Sequence, residues 1–189
     1  KKQILEVPDA LHKDEGVREE TTKEILSQLK PAFKPDGVIT AGNSSQISDG
    51  AAALLLVSED ILNKFNLEPI AKIKSMAVVG TDPVLMLSGP IPATRKALDQ
   101  AKLKPEDINL AEINEAFSSV VGAWRKEFPE INYENVNANG GSIAIGHPLG
   151  ATGARLMTNL IHEMKRNKLK YGLQAICEGG GTANATIVE

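Results

Sequence analysis

This chain has almost no cysteine: Cys177 is the only one in 189 residues. No intrachain disulfide can form. The three histidines, His12, His147 and His162, are scattered and lack a second cysteine beside them, which argues against a zinc site. If Cys177 has a role, it has it as a thiol. Long apolar runs are missing too. Nothing approaches the roughly 18 residues a membrane span requires, and the opening KKQILEVPDALHKDEG has neither the apolar centre nor the cleavage site of a signal peptide. A net charge of −3 gives no reason to expect nucleic acid or a membrane surface as partner. Internal repeats and low-complexity segments are absent. These absences lead us to expect a globular protein of a reducing compartment: the cytoplasm, or one such as the mitochondrial matrix or peroxisome.

The residues that are present fit a folded domain. With 42% hydrophobic and 24% charged residues, a chain of this length can bury roughly 70% of its unfolded surface. Residues 1–36 are charged and proline-punctuated, with one expected helix, REETTKEILSQL, whose Ile25, Leu26 and Leu29 share a face. They read as a tail to the unit 37–189. There the pattern alternates strand-like runs (AAALLLVS, IAKIKSMAVVG, INLAEI, NVNANGG, LQAIC, ANATIVE) with helices (SEDILNKF, PATRKALDQA, EAFSSVVGAWRKEF, PLGATGARLMTNLIHEMKRN), which indicates an α/β sheet. In the last helix Leu156, Leu160 and Met164 recur at i, i+4, i+8, with Lys165, Arg166 and Lys168 near its end. Its small residues Gly150, Ala151, Gly153 and Ala154 predict a close approach of another backbone. Ala116, Ser118, Ser119, Gly122 and Ala123 give a second helix a similar surface. A buried helical layer follows, one that a second half outside this chain could share.

Three motifs are candidates for chemistry. In SIAIGHPLGATGARLM, Pro148 suits a first helical position, so His147 falls at a helix start among glycines that let strand, turn and helix pack closely. The glycine spacing matches neither a phosphate loop nor a dinucleotide fingerprint. On its residues alone a structural histidine outweighs a catalytic one. In CEGGGTA, a lone strand cysteine is ordinarily a small buried hydrophobe, yet three consecutive glycines set bare N–H groups beside its sulfur, an arrangement that can bind an oxyanion. In EINEAF, Asn114 reads first as a helix cap. All three motifs sit at strand ends, where α/β sheets gather reacting groups.

Taken together, AEINEAF, NANGGSIAIGHPLGATGARL and CEGGG, in this order, with TAGNSSQISDGAAALLLVS upstream, resemble the C-terminal half of the thiolase family over roughly residues 17–189. The resemblance implies a mixed five-stranded sheet with helices on both faces, half of a five-layered α-β-α-β-α architecture. It implies acyl transfer between coenzyme A and the α-carbon of acetyl-CoA, run as Claisen condensation or as thiolytic cleavage of 3-ketoacyl-CoA in fatty acid metabolism. No cofactor or metal is implied, because the coenzyme A thioesters are substrates.

By the same resemblance, His147 activates the nucleophilic cysteine and polarises a thioester oxygen, and Cys177 is the acid/base at the α-carbon. Asn114 holds a water that, with His147, forms one oxyanion hole, and the Gly179 N–H is a donor of the other. Ala41, Gly42 and Ser45 lie along the pantetheine arm, and Met86 and Phe117 are pocket walls. The family's nucleophilic cysteine belongs to an N-terminal half and has no counterpart here. The chain is therefore expected to be inactive alone, to need that half, and to belong to a homo-oligomer, dimer or tetramer, in the full enzyme. The alternatives are a non-catalytic CoA-binding module, a subunit of a split thiolase-like complex, or a purely structural partner. Glu178, next to Cys177, would disfavour the thiolate or simply face solvent.

Overall fold

Alternating apolar residues produce four strands in a computed structural model that describes residues 4–189; residues 1–3, the start of the expected tail, lie outside the described residues. The strands β1 (Ile73–Gly80), β2 (Leu110–Ile113), β3 (Gly172–Cys177) and β4 (Thr182–Val188) form one sheet in the order β1-β4-β3-β2. β4 runs antiparallel to both neighbours, and β2 lies parallel to β3, with Leu110 opposite Gly172 and Ile113 opposite Ala175. The helices are α1 (Lys23–Ser27), α2 (Glu59–Phe65), α3 (Pro90–Ala101), α4 (Ser118–Glu127), α5 (Ser142–Ile145) and α6 (Thr152–Asn167).

The period of two along each strand sorts the side chains between two layers. Ala111, Ile113, Leu173, Ala175, Ala185 and Ile187 point to one face, where they meet Ala93, Ala97 and Leu98 of α3 and Val121 and Trp124 of α4. Trp124 is fully buried and donates its indole N–H to Thr94 Oγ1 at 2.9 Å, so the polar end of a large core residue is satisfied. Leu110 and Val188 join Leu160 and Met164 of α6 in the core on the other face. Helices thus cover both faces. The expected stripe of Leu156, Leu160 and Met164 is buried.

NVNANGG, one of the strand-like runs, makes only a single parallel bridge, Ala111 with Val136. At the next residue the backbone turns left-handed, with Asn137 at φ 53°. Its own N–H still donates to Ala111 O at 2.8 Å. The Asn137 side chain then continues the ladder in place of a strand: Oδ1 accepts from the Ile113 N–H at 2.8 Å, and Nδ2 donates to Ile113 O at 2.9 Å. The edge of β2 is therefore closed by one carboxamide.

AAALLLVS forms no strand among the described residues, and Leu55 is 83% exposed. A strand exists through its neighbours' hydrogen bonds, and this segment meets no ladder within the chain. The sheet has a matching gap. α6 covers β2 and β3, while Met76 on the corresponding face of β1 is 63% exposed. The close backbone approach inferred from small residues also has no counterpart here: a Cβ added at Gly150 or Gly122 would meet nothing within 4 Å, and one at Gly153 would meet only Ile176 Cδ1, at 3.5 Å. The α6 helix itself begins at Thr152 rather than at Pro148. An intervening turn directs the N–H groups of Ala151 and Thr152, each at 2.8 Å, to Pro148 O.

Asn137→Ala would leave both polar groups of Ile113 without partners at a closed edge, at a cost of about 3 kcal/mol. Urea unfolding measures this. A loss below about 1 kcal/mol would mean that the carboxamide does not replace a strand.

Candidate active site

Asn114 immediately follows β2. Its backbone N–H extends the pairing to Ala175 O at 3.0 Å, and its side chain is 1% exposed. It is not a helix cap: α4 starts at Ser118 behind Phe117, with no side-chain cap bond. Instead Asn114 Oδ1 accepts from Ser142 Oγ at 2.8 Å. With that oxygen engaged, the amide of Asn114 is the group that faces Cys177 at the end of β3. The contact lowers the thiol's proton affinity, as a donor to sulfur should. Burial acts in the opposite direction and is the larger effect, so the Cys177 thiol is held above the ordinary cysteine range. Glu178 raises it further as the smallest of the causes, while its carboxylate is engaged by Asn184 Nδ2.

His147 follows Ser142 after one short helix. Gly146 holds φ 85°, and a Cβ there would fall 2.2 Å from Ser48 Oγ, so only glycine fits. The His147 N–H donates to Gln46 O at 2.7 Å, and Ile47 bridges to His147 in parallel. On the imidazole, Nδ1 lies 2.7 Å from Thr152 Oγ1, and that hydroxyl donates to Pro148 O at 2.9 Å. The threonine proton being so used, Nδ1 is the donor and Nε2 keeps its lone pair. Burial, with a secondary contribution from the Arg155 guanidinium, lowers the imidazole's pKa from the ordinary value. The ring is therefore neutral at pH 7.

The segment expected along the pantetheine arm reaches the same place. Thr40 caps the turn Ala41–Asn43, and Leu26 and Leu29 pack onto Gly42. Ser44 bridges to Phe117, Ser45 donates its N–H to Ala116 O at 3.0 Å, and Phe33 sets its ring edge against Phe117. Ala41, Gly42, Ser45 and Phe117 therefore form one strip that continues through Gln46 and Ile47 to His147. Gly179 lies in the turn after Cys177, with open space where a side chain would stand. Met86, half-buried at φ 44°, ends a turn whose Thr81 donates to Gly181 O through both N–H, at 2.7 Å, and Oγ1, at 3.0 Å. Met86 thus belongs to the Gly179–Gly181 side of the site and not to the strip.

Sequence reasoning missed Ser142, Thr152, Arg155 and Glu112. Glu112 left the clearest trace, as an acid inside the apolar run INLAEI. Its side chain is fully buried, and neither carboxyl oxygen has a hydrogen-bond partner. Burial, then repulsion from Glu115, outweigh the attraction of Arg155 and push its pKa up to about 8. At pH 7 the group is a neutral acid. Nearby Glu115 is well bonded, accepting from Asn137 Nδ2 at 2.7 Å and from the Ile143 N–H at 3.0 Å. It ties the β2 edge to the start of the loop that carries His147.

Comparison with known proteins identifies the family. The family model for the thiolase C-terminal domain matches residues 67–189, and that for the thiolase N-terminal domain matches residues 2–60. The steroid 3-ketoacyl-CoA thiolase of Mycobacterium tuberculosis is 52% identical over 176 residues, covering 93% of this chain and 42% of that protein. The 3-ketoacyl-CoA thiolase of Bacillus subtilis is 49% identical, covering 93% of this chain and 45% of that protein. Among solved structures, the Bacillus anthracis acetyl-CoA acetyltransferase superposes with a TM-score of 0.89 at 46% identity, over 94% of this chain and 45% of that one. The human mitochondrial 3-ketoacyl-CoA thiolase in complex with CoA gives 0.84 at 40% identity, over 93% and 44%. The chain spans about half the length of the relatives it matches.

The geometry generates two expectations. Thr152→Val removes the acceptor for Nδ1–H, so nitrogen-15 shifts of the His147 ring, Nδ1-protonated in the parent chain, should move toward the other tautomer; a parent ring already protonated on Nε2 would contradict the assignment. The second concerns stability. Because the folded pKa of Glu112, about 8, lies above the ordinary carboxyl value of 4.5, its favourable contribution is complete below pH 4.5 and is lost as pH rises through 8. Glu112→Gln should remove that decline, which amounts to a few kcal/mol, on the order of 1.4 for each tenfold change in proton affinity, and unfolding curves at pH 5 and pH 8.5 measure it. Equal declines in both proteins would show that the carboxyl ionises normally.

Proposed function

This chain belongs to the thiolase family, and from that premise we propose that it carries the acid/base and oxyanion groups for thiolytic cleavage of a 3-ketoacyl-CoA and its reverse, Claisen condensation. In this reading a cysteine-bearing N-terminal half supplies the nucleophile. The observation that carries the reading is the hydrogen bond from Ser142 Oγ to Asn114 Oδ1, which ties the end of β2 to α5, the helix leading to His147, together with the Asn114 side chain that lowers the proton affinity of the Cys177 thiol. It supports a site in which a thiol, a carboxamide and an imidazole act together.

The protonation states suit the cleavage direction. Neutral His147 Nε2 takes the proton of the partner half's thiol as that sulfur attacks the 3-keto carbon. The imidazolium so formed has an N–H to donate toward the developing oxyanion, beside a water held by Asn114. When the bond between carbons 2 and 3 breaks, its electron pair passes into the enolate of acetyl-CoA. Cys177, protonated at rest because it is buried, delivers its proton to carbon 2. The resulting thiolate then takes the proton of incoming coenzyme A, whose sulfur displaces the acyl group from the partner's cysteine. His147 returns the first proton to that cysteine, and every proton is accounted for. Gly179 N–H supports the second oxyanion, the strip from Ala41 to Ser45 supports the pantetheine arm, and Phe117 and Met86 wall the acyl pocket. No cofactor or metal is required.

Cys177 is the only cysteine in the sequence, so on this reading the chain alone is inactive. The exposed Leu55 run and the bare face at Met76 fit a missing half of the same assembly, and a homo-oligomer of the completed enzyme extends the reading. A free catalytic thiol suits a reducing compartment. Among the described residues no helix is long and apolar enough to cross a membrane. The already formed Ala41–Ser45 strip gives some support to a second reading, a CoA-binding module without turnover.

Mixing the chain with a cysteine-bearing thiolase N-terminal half should yield acetoacetyl-CoA cleavage, and His147→Ala or Cys177→Ala should abolish it by at least about a hundredfold. Calorimetric binding of coenzyme A with no turnover in any mixture would favour the module instead. Turnover that survives both substitutions would refute the assigned roles.

A further inference from the structure

The loop before His147 is held from behind by one side chain. Arg155, on the second turn of α6, donates from Nη1 to Ile145 O at 3.2 Å and from Nη2 to Gly146 O at 2.6 Å. These are the two carbonyls immediately preceding His147. The left-handed Gly146 that glycine alone permits directs the adjoining peptides, and the planar guanidinium fork spans both acceptors as a lysine ammonium cannot.

The same guanidinium keeps a buried Nε without a partner, and Glu112 keeps two buried carboxyl oxygens without partners. Unmatched donor and acceptor atoms are thus enclosed between β2 and α6, on two side chains that interact electrostatically. A buried carboxyl with no hydrogen bond is destabilising, and the proton transfers described above give it no task.

We propose that Arg155 is a positioning residue for His147, its guanidinium fork fixing the two peptides that aim the imidazole. Arg155 also bears on the ring's charge. Arg155 is the charged group that lowers the proton affinity of His147, and the charged groups acting on Glu112 are Glu115, on the turn after β2, and Arg155 itself. With Glu112 protonated at neutral pH, the positive charge of Arg155 is not cancelled, and His147 stays a neutral base. The proposal deepens the reading of His147 as a base. It rests on that reading for its effect on turnover but not for its effect on titration.

The test follows the His147 ring resonances against pH in the chain itself, together with amide exchange at His147. Arg155→Gln should shift the His147 midpoint upward. Arg155→Lys keeps the charge and should leave the midpoint low, but it should speed exchange at His147. In the reassembled enzyme, Arg155→Lys should lower kcat roughly a hundredfold with KM for the acyl-CoA little changed, as misplacement of a catalytic group by about 1 Å does. An unchanged midpoint in Arg155→Gln with an otherwise native amide spectrum would overturn the effect on charge. Parental exchange in Arg155→Lys would overturn the positioning role. If Arg155→Gln fails to fold, the lysine variant still decides. If the parent chain shows no turnover in any mixture, the proposed function fails while the titration and exchange results stand on their own.

Discussion

The site depends on the orientation of one buried carboxamide. Asn114 stands where β2 ends and is buried, so its amide oxygen finds its partner in the protein. Ser142 takes the oxygen, and this leaves the nitrogen for Cys177. Ser142 in turn begins α5, so the same bond anchors the segment that ends at His147.

Around this anchor three titratable groups are held without charge. Burial raises the thiol of Cys177 and the carboxyl of Glu112 and lowers the imidazole of His147, and each of the three shifts favours the neutral form. A site of neutral groups in a partly dry setting can move protons without first separating ions from their solvent. It also explains how an acid can sit under α6 without a salt bridge: as a protonated carboxyl it avoids most of the cost of burying a charge.

Elsewhere the fold leaves apolar surface uncovered. One face of the sheet is fully covered by α3 and α4, the other only over β2 and β3. The run Ala51–Val57 has the composition of a buried strand and no strand to pair with. Gly150, before α6, and Gly122 of α4 lie open. All three features are surfaces that resemble interior, and they account for why the expected strand at AAALLLVS and the expected close backbone contacts do not form within this chain.

Local periodicity was enough to place β1 to β4, the helices α2, α3 and α4, and the buried stripe of α6, because alternation of apolar residues is a property of neighbours along the chain. Glycine spacing and strand-end position marked His147, Cys177 and Asn114 as unusual, and their likeness to a family's motifs supplied the roles proposed for them. Only the tertiary structure decided that Asn114 is no cap, that the Asn137 side chain closes the edge of β2, and that Thr152 and Arg155 act on His147. The reason is physical. A hydrogen bond's energy depends on which group lies within about 3 Å, and residues as far apart in sequence as Asn114 and Ser142 become partners only when the end of β2 and α5 meet.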